Sequence, residues 1–303
     1  MRSIGDNPSE FSVQNTFSKY FFMFLSFVKI RSQLYIFPWA TLISIIIASN
    51  GVPDAWMAGS VVSAIYFSVL ATYIYNDVTD LGIDRINASK RPLATGLVSK
   101  RSAMILFTVL TSLAIALSAL VNFQTALVTA IFAALGIIYS HPKTHCKDKF
   151  PLKTLITASG AALASIIGGF AVENLSAPVI FASILFFLYF FILGPLGDID
   201  DIKGDKSARR RTFPLVIGIK STLALILSIP LAIMLSSIFI YEIIGINLLG
   251  VLLIITVCSI SFSFLYPLIK RYNDRNFVQA TRHKVRFMHV WLQLAVLLGV
   301  LIV

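Results

Sequence analysis

The stretch that decides the fold of this chain is NDVTDLGIDR at residues 76–85, which closes an apolar run near 56–76. A second stretch, DIDDIKGDK at 198–206, closes another apolar run near 178–196. Both contain the pattern D-x-x-D-x-x-x-D, and the three aspartates of one match those of the other at a constant offset of 121 residues. A repeat over so long a period indicates a duplicated architecture.

The sequence around these stretches is strongly apolar. Of its 303 residues, 57% are hydrophobic and only 13% are charged, and the mean hydropathy is +0.85. An ordinary soluble domain carries about 25% charged residues. The composition therefore excludes a soluble enzyme and a disordered protein, and it indicates a polytopic membrane protein.

Nine apolar runs are long enough to cross a bilayer, since a crossing helix needs roughly 20 residues. They lie near 30–49, 56–76, 102–121, 123–139, 153–171, 178–196, 221–240, 243–267 and 287–303. Because lipid-embedded backbone must satisfy its own hydrogen bonds, we predict an all-α bundle of nine transmembrane helices around a central cavity. The matched stretches divide it into two four-helix pseudo-repeats, at about 30–139 and 153–267, plus a ninth helix, within one membrane domain spanning 1–303.

The basic residues indicate the orientation. All 25 Lys and Arg fall in the N-terminal segment or in the loops predicted after spans two, four, six and eight. The opposite face carries only Asp54, Glu173 and Glu242. The positive-inside rule then places the N-terminus in the cytoplasm and the C-terminus across the cell membrane. Topology accounts for the net charge of +11, and no nucleic-acid partner is expected.

The carboxylates predict the chemistry. Their spacing places the three aspartates of each stretch on one helix face, at the C-terminal end. Three anions there repel each other and oppose the helix dipole, so bound cations would stabilise them. Oxygen-only ligands favour Mg²⁺, which commonly bridges to substrate phosphates. Two such faces predict Mg²⁺ ions with a diphosphate between them, nearby Lys and Arg completing the clamp, and a hydrocarbon tail between the helices.

These motifs together resemble the UbiA superfamily of intramembrane prenyltransferases. The first stretch extends to N-D-x-x-D-x-x-x-D-R-x-N, with KRPLATG following at 90–96, and the second reads D-x-x-D-x-x-G-D. The resemblance covers nearly the whole chain and implies a cavity that binds a prenyl diphosphate through Mg²⁺. The metal ligands that it implies are Asn76, Asp80, Asp84, Asp201 and Asp205. The diphosphate-binding cations that it suggests are Arg31, Arg85, Arg91 and Lys143.

One position departs from the family pattern. Many members carry a lysine directly before the second motif, where this chain has Gly197, and we expect Lys203 or Lys206 to replace that contact. Asp77 and Asp198 are candidate acceptors for the proton that the second substrate releases. Tyr139 is a candidate aromatic face for an allylic cation, with an interfacial aromatic belt as the alternative.

The resemblance implies Mg²⁺-dependent transfer of a prenyl group, with geranylgeranyl as the leading choice, from a prenyl diphosphate to a lipophilic acceptor. The second motif resembles the archaeal digeranylgeranylglyceryl phosphate synthase branch, which implies geranylgeranylglyceryl phosphate as acceptor. Aromatic prenylation in quinone or chlorophyll-type biosynthesis stays open. A CDP-alcohol phosphotransferase is disfavoured because D-G-x-x-A-R is absent. A lipid or ion transporter is disfavoured because the acidic clusters lie at span ends and not at midplane.

Overall fold

Every regular element that the structure describes is a helix. The structure is a computed structural model that describes residues 20–29, 31, 34–86, 89–207 and 209–302, except the side chain of Ile240. The helices are α1 (Tyr20–Lys29), α2 (Ile36–Ala48), α3 (Ala55–Thr79), α4 (Leu81–Ile86), α5 (Lys100–Ala119), α6 (Phe123–Ser140), α7 (Leu152–Ala171), α8 (Ala177–Asp200), α9 (Ile202–Ser207), α10 (Phe213–Val216), α11 (Ile219–Ile244), α12 (Leu248–Leu265), α13 (Leu268–Arg271) and α14 (Arg275–Leu301), with a 3₁₀ turn at Cys146–Asp148. The predicted all-α class is confirmed for these ranges.

Within the described ranges, eight helical segments are long and apolar enough to cross a membrane, and the chain is a multi-pass membrane protein. The predicted first span, near 30–49, contains α2, whose 13 residues extend only about 20 Å. Nine of those residues are buried, so α2 is an element of the bundle core. Its predicted N-terminal part includes residues 30, 32 and 33, which lie outside the described residues, as do residues 1–19 of the predicted cytoplasmic N-terminus.

The last three spans differ from their predicted bounds. Helix α11 continues to Ile244 and ends at Gly245, whose φ of +79° is the left-handed conformation common after a helix. Helix α12 then begins at Leu248, with the Asn247 side chain accepting a hydrogen bond from the backbone N–H of Gly250 at 2.9 Å. Helix α14 begins at Arg275. Hydropathy predicted a start near 287, because the basic residues in the first turns of this helix lower the local hydropathy.

Two hydrophobic clusters fill the bundle. One joins the N-terminal helices, with buried side chains such as Val61, Leu70 and Ile74 of α3, to α6 and part of α7. The other joins α8, α11, α12 and α14, with Tyr189 and Ile254 among its buried residues. Helix α7 packs extensively against both α2 and α8, and it thereby connects the two halves of the chain.

Small residues allow α2 and α7 to approach closely. A Cβ atom added at Gly168 of α7 would lie 2.6 Å from the backbone nitrogen of Ile45. Nearby, the Thr41 hydroxyl of α2 donates a hydrogen bond to the Ala164 carbonyl at 2.5 Å. Close packing of this kind is the main attraction between helices in a bilayer, where lipid tails are as apolar as the side chains.

Gly168→Ala should therefore destabilise the folded protein by about 1–3 kcal/mol, the usual cost of overpacking a core. The added methyl group meets main-chain atoms, which cannot rotate away as a side chain does. The measurement is the midpoint of denaturant-induced unfolding in detergent. Gly160→Ala on the same helix is the control, because its Cβ would meet only a Phe132 ring carbon at 3.6 Å. Equal midpoints for the two variants would contradict the expectation.

Candidate active site

The two aspartate stretches have the same backbone course. In each, the first aspartate lies in the last turn of a long helix, the second follows it as the C-cap, and the third lies in the short helix beyond. The backbone N–H of Asp84 donates to the Asp80 carbonyl at 2.9 Å, and that of Asp205 donates to the Asp201 carbonyl at 2.9 Å. The prediction that the three aspartates share one helix face is therefore wrong, because the long helix ends at the second aspartate; the two stretches nevertheless form matched helix ends.

The first aspartate of each stretch is buried and paired with a cation. Asp77 and Asp198 are each 1% exposed. Asp77 forms ion pairs with Arg31 and, at 3.1 Å, with Arg91. Asp198 forms one with Lys153, in the first turn of α7. Both buried carboxylates are thus neutralised by a cation from outside their own helix.

The third aspartate of each stretch is held by an arginine from the loop that follows. The Nη1 atom of Arg91 lies 2.8 Å from Asp84. The Nη1 atom of Arg210 lies 3.5 Å from Asp205, and its Nε lies 2.8 Å from Asp148. Both aspartates are buried. Each loop arginine therefore ties its loop to the short helix that carries the third aspartate.

The middle aspartates are the ones that line the central cavity. Asp80 forms an ion pair with Lys147. In the described chain, the cation within ion-pair range of Asp201 is Arg275, at 4.0 Å. Partial burial raises the pKa of Asp201, and repulsion from Asp200 and Asp205 raises it further, while Arg282 and Lys153 partly offset this.

The cavity has a volume of about 480 Å³. Its charged and polar lining consists of Thr72, Tyr73, Asn76, Asp80, Arg91, Tyr139, Ser140, Lys147, Lys153, Thr157, Asp201, Arg210, Arg282 and Arg286. Its apolar lining includes Ile36, Phe37, Val69, Phe132, Leu135, Ile156, Phe190 and Leu193. On α3, α6 and α8 the apolar lining residues lie about one to three turns before the charged and larger polar ones, so the cavity has a charged end and a hydrocarbon-like end.

The structure brings together part of the predicted set. Asn76, Asp80, Asp201, Arg91 and Tyr139 line the cavity. Another group lies behind this lining, in the ion pairs described above: Asp77, Asp84, Asp198, Asp205 and Arg31. The remaining cations are exposed and do not line the cavity, so their position offers no support for the predicted diphosphate contact: Arg85, Lys143, Lys203 and Lys206.

Five cavity cations escaped prediction, namely Lys147, Lys153, Arg210, Arg282 and Arg286. All were assigned to loops, and that assignment is wrong for Lys153, in the first turn of α7, and for the two arginines of α14. For Arg282 and Arg286 the available signal was their spacing of four residues, immediately before an apolar run. This spacing places the two charges on one helix face. Lys147 had no local signal, because its partner Asp80 lies 67 positions away in the sequence.

The oxygen donors at the charged end fit a hard divalent cation. Asn76, Asp80 and Asp201 present oxygen atoms to the cavity, and the Oδ2 atom of Asp205 is buried without a hydrogen-bond partner within the described chain. No group of three His, Cys, Asp or Glu side chains in these ranges converges on one metal position. Mg²⁺ suits such sparse ligation, because it keeps several waters and takes substrate phosphates as ligands.

A sequence profile of the UbiA prenyltransferase family matches residues 37–293. Two similar proteins are each named digeranylgeranylglyceryl phosphate synthase. The one from Methanosphaera stadtmanae is 28% identical over 63% of this chain and 69% of its own length. The one from Saccharolobus solfataricus is 33% identical over 55% of this chain and 59% of its own length, so the match spans little more than half of that relative.

Solved structures share the fold. A structure described as giving insights into digeranylgeranylglyceryl phosphate synthase in membranes superposes with a TM-score of 0.77 at 20% identity, over 94% of this chain and 99% of that one. A UbiA homolog from Archaeoglobus fulgidus, bound to GPP and Mg²⁺, superposes with a TM-score of 0.69 at 17% identity, over 90% of this chain and 99% of that one. At these identities the likeness establishes the architecture.

Proposed function

This chain belongs to the UbiA prenyltransferase family, and from that premise we propose that it transfers a prenyl group from a prenyl diphosphate to a lipophilic acceptor in a Mg²⁺-dependent reaction. One observation carries the proposal. Asp80 and Asp201, from two matched helix ends, line the charged end of one cavity, and apolar side chains line its other end. The anionic head and the hydrocarbon tail of such a substrate need these two surroundings side by side.

For the acceptor we propose geranylgeranylglyceryl phosphate, with geranylgeranyl diphosphate as donor. The support is the likeness to proteins named digeranylgeranylglyceryl phosphate synthase and the form of the second aspartate motif. An aromatic acceptor is the second candidate, because the cavity lining includes the aromatic side chains of Phe37, Phe132 and Phe190, which suit a planar ring as well as a tail.

The charged end would bind and hold the diphosphate. Asn76, Asp80 and Asp201, with Asp84 and Asp205 behind them, would hold Mg²⁺, which when bound neutralises charge on the departing diphosphate. Lys147 and Arg91 line the cavity next to these carboxylates and can donate hydrogen bonds to diphosphate oxygens. Asp77 and Asp198 are buried and ion-paired, so we assign them the positioning of Arg31, Arg91 and Lys153 in preference to proton transfer.

The apolar end would protect the reactive carbon. An allylic cation formed when the carbon–oxygen bond breaks must be shielded from water, which would otherwise quench it. Phe37 packs against Phe132 and Phe190, with ring centroids 6.1 Å and 5.0 Å apart, and this aromatic group excludes water from the cavity wall. Tyr139 lines the cavity at its charged end and would offer the electron-rich face of its ring to the cation.

We also propose that the chain forms one membrane domain over 1–303, built of pseudo-repeats at about 30–139 and 153–267. It would lie in the cell membrane with its N-terminus and charged cavity end in the cytoplasm and its C-terminus opposite. The restriction of the basic residues to one end of the helices supports this orientation.

The function is tested by incubating purified protein in lipid with Mg²⁺ and geranylgeranyl diphosphate. Separate reactions contain geranylgeranylglyceryl phosphate or an aromatic acid, and products are identified by mass spectrometry. We expect release of diphosphate together with the doubly prenylated glycerol phosphate. Incorporation of the prenyl group into the aromatic acid alone would support an aromatic acceptor, the second candidate. No diphosphate release with any acceptor would reject the proposed function.

Metal removal should abolish this reaction. In excess EDTA we expect the rate to fall by at least about 100-fold, because the charge on the leaving diphosphate is no longer neutralised. Addition of Mg²⁺ beyond the chelator should restore it, while the unfolding midpoint in detergent shows that the protein stays folded throughout. Undiminished turnover in EDTA would show that the carboxylates serve another purpose.

A further inference from the structure

We propose that Arg282 and Arg286 of α14 bind the diphosphate of the prenyl substrate, and that the missing side chain of Gly197 on α8 is what admits Arg282 to that position. This inference rests on the function proposed above. It assigns a binding role to the last long helix, whose basic turns hydropathy places outside the membrane-spanning part.

The two arginines differ from the other cavity cations in forming no ion pair with a described aspartate or glutamate. Arg91, Lys147, Lys153 and Arg210 each form an ion pair with an aspartate. Within the part of the chain that the structure describes, Arg282 and Arg286 form none within 4 Å, although both line the cavity. The Nε atom of Arg282 is moreover buried without a hydrogen-bond partner among those residues. Two neighbouring positive charges with unused donors are stabilised by an anion that enters the cavity.

Gly197 determines where the Arg282 guanidinium lies. A Cβ atom built at Gly197 would lie 2.9 Å from both Cζ and Nη2 of Arg282, and 3.3 Å from its Nε. The guanidinium thus lies against the α8 backbone, one turn before Asp201. Any larger residue at 197 would displace it from this position.

Comparison of the two stretches shows what the glycine achieves. By the constant offset of 121 residues, Gly197 corresponds to Asn76. Asn76 uses its side chain, since its Oδ1 accepts a hydrogen bond from the Ser140 hydroxyl at 3.0 Å. At the second stretch the equivalent volume is occupied by a cation from another helix. The cavity therefore has an amide beside Asp80 and a guanidinium beside Asp201.

Arginine chemistry indicates a phosphate-containing ligand. A guanidinium presents five N–H donors in a rigid plane that matches pairs of phosphate oxygens. Arg286 follows one helical turn after Arg282 on the same face, so the two can contact neighbouring phosphates of one diphosphate group. A single carboxylate offers fewer acceptors and would leave one arginine unused.

The first experiment measures Arg282→Gln and Arg286→Gln, each with the prenyl diphosphate varied at saturating acceptor and Mg²⁺. We expect KM for the prenyl diphosphate to rise at least about tenfold, the usual effect of losing a charge-assisted contact. KM for the acceptor should stay near the wild-type value. Lys284→Gln is the control, because this exposed lysine of α14 lies over the Phe264 ring, 5.1 Å from its centroid, and does not line the cavity.

The second experiment moves the cation from one helix to the other. Gly197→Ala should weaken binding of inorganic diphosphate with Mg²⁺ while the protein stays folded, because the methyl group meets only the flexible end of Arg282. Arg282→Ala should weaken it further, and Gly197→Lys combined with Arg282→Ala should recover most of the loss. A merely structural arginine would not be replaced by a lysine on α8.

The outcomes separate this inference from the function on which it rests. If wild-type protein neither binds diphosphate nor releases it, the proposed function itself fails. If wild-type protein is active and the glutamine variants match it in KM and in diphosphate binding, the assignment of Arg282 and Arg286 is wrong and the proposed function stands.

Discussion

Asp80→Ala and Asp201→Ala should each reduce prenyl transfer by more than about 100-fold. Changing a residue that only supports a metal ligand typically lowers activity by about 10–100-fold, so a larger loss indicates direct ligation. Both carboxylates line the cavity, and each comes from a different matched helix end. Removing either would take away the cavity-lining carboxylate on one side of the proposed Mg²⁺ and diphosphate site. The rate of diphosphate release measures the effect, and the unfolding midpoint in detergent should stay near that of the wild-type protein.

The matched control for the second site is Asp200→Ala. Asp200 is the immediate neighbour of Asp201, but its carboxylate accepts hydrogen bonds from Gln279 and Arg275 and does not line the cavity. This variant should retain most of the wild-type turnover. A loss of turnover in Asp201→Ala would then result from removing a carboxylate that lines the cavity, and not merely from removing a negative charge nearby. Full activity in both Asp80→Ala and Asp201→Ala would remove the two residues from the active site.

Lys153→Met should have the largest effect on stability, a loss of roughly 3–5 kcal/mol. Asp198 is 1% exposed, and Lys153 is its only ion-pair partner in the described chain. Methionine keeps the length of the side chain and removes the charge, so a buried carboxylate is left without compensation. The unfolding midpoint in detergent measures the loss.

A double variant distinguishes the lost ion pair from lost packing. Lys153→Met combined with Asp198→Asn has no buried charge and should recover most of the lost stability. Lys149→Met, at an exposed lysine close by in the sequence, should unfold like the wild-type protein. If Lys153→Met unfolds at the wild-type midpoint, the ion pair makes no net contribution and our expectation is wrong.

The fold class and the central carboxylates followed from local sequence patterns. Hydropathy over about 20 residues predicted helices that cross the bilayer, because each such helix satisfies its own backbone hydrogen bonds whatever its neighbours are. The offset of 121 residues matched Asp80 with Asp201, and both line the cavity. These properties depend on residues close together in sequence or on repetition of one segment.

Hydropathy predicted the wrong bounds for helices that face something other than lipid. Helix α14 begins at Arg275 because the side chains of Arg282 and Arg286 point into a polar cavity, so their charge does not prevent the helix from continuing through the bundle. Helix α2 is shorter than a full span, and nine of its 13 residues are buried in the bundle, so its high hydropathy reflects burial in protein. An apolar scale measures transfer into lipid, and it cannot distinguish a lipid-facing side from a cavity-facing one.

By itself, the sequence determined an all-helical membrane bundle, a repeated pair of carboxylate helix ends and the family to which they belong. Only the tertiary structure decided which cations serve those carboxylates, namely Lys147 for Asp80 and Lys153 for Asp198, and only it placed Arg282 beside Gly197. The physical reason is the separation in sequence between the residues that interact. Helix formation and spacing along a face are local, whereas an ion pair forms wherever helix packing brings two distant segments within a few ångströms.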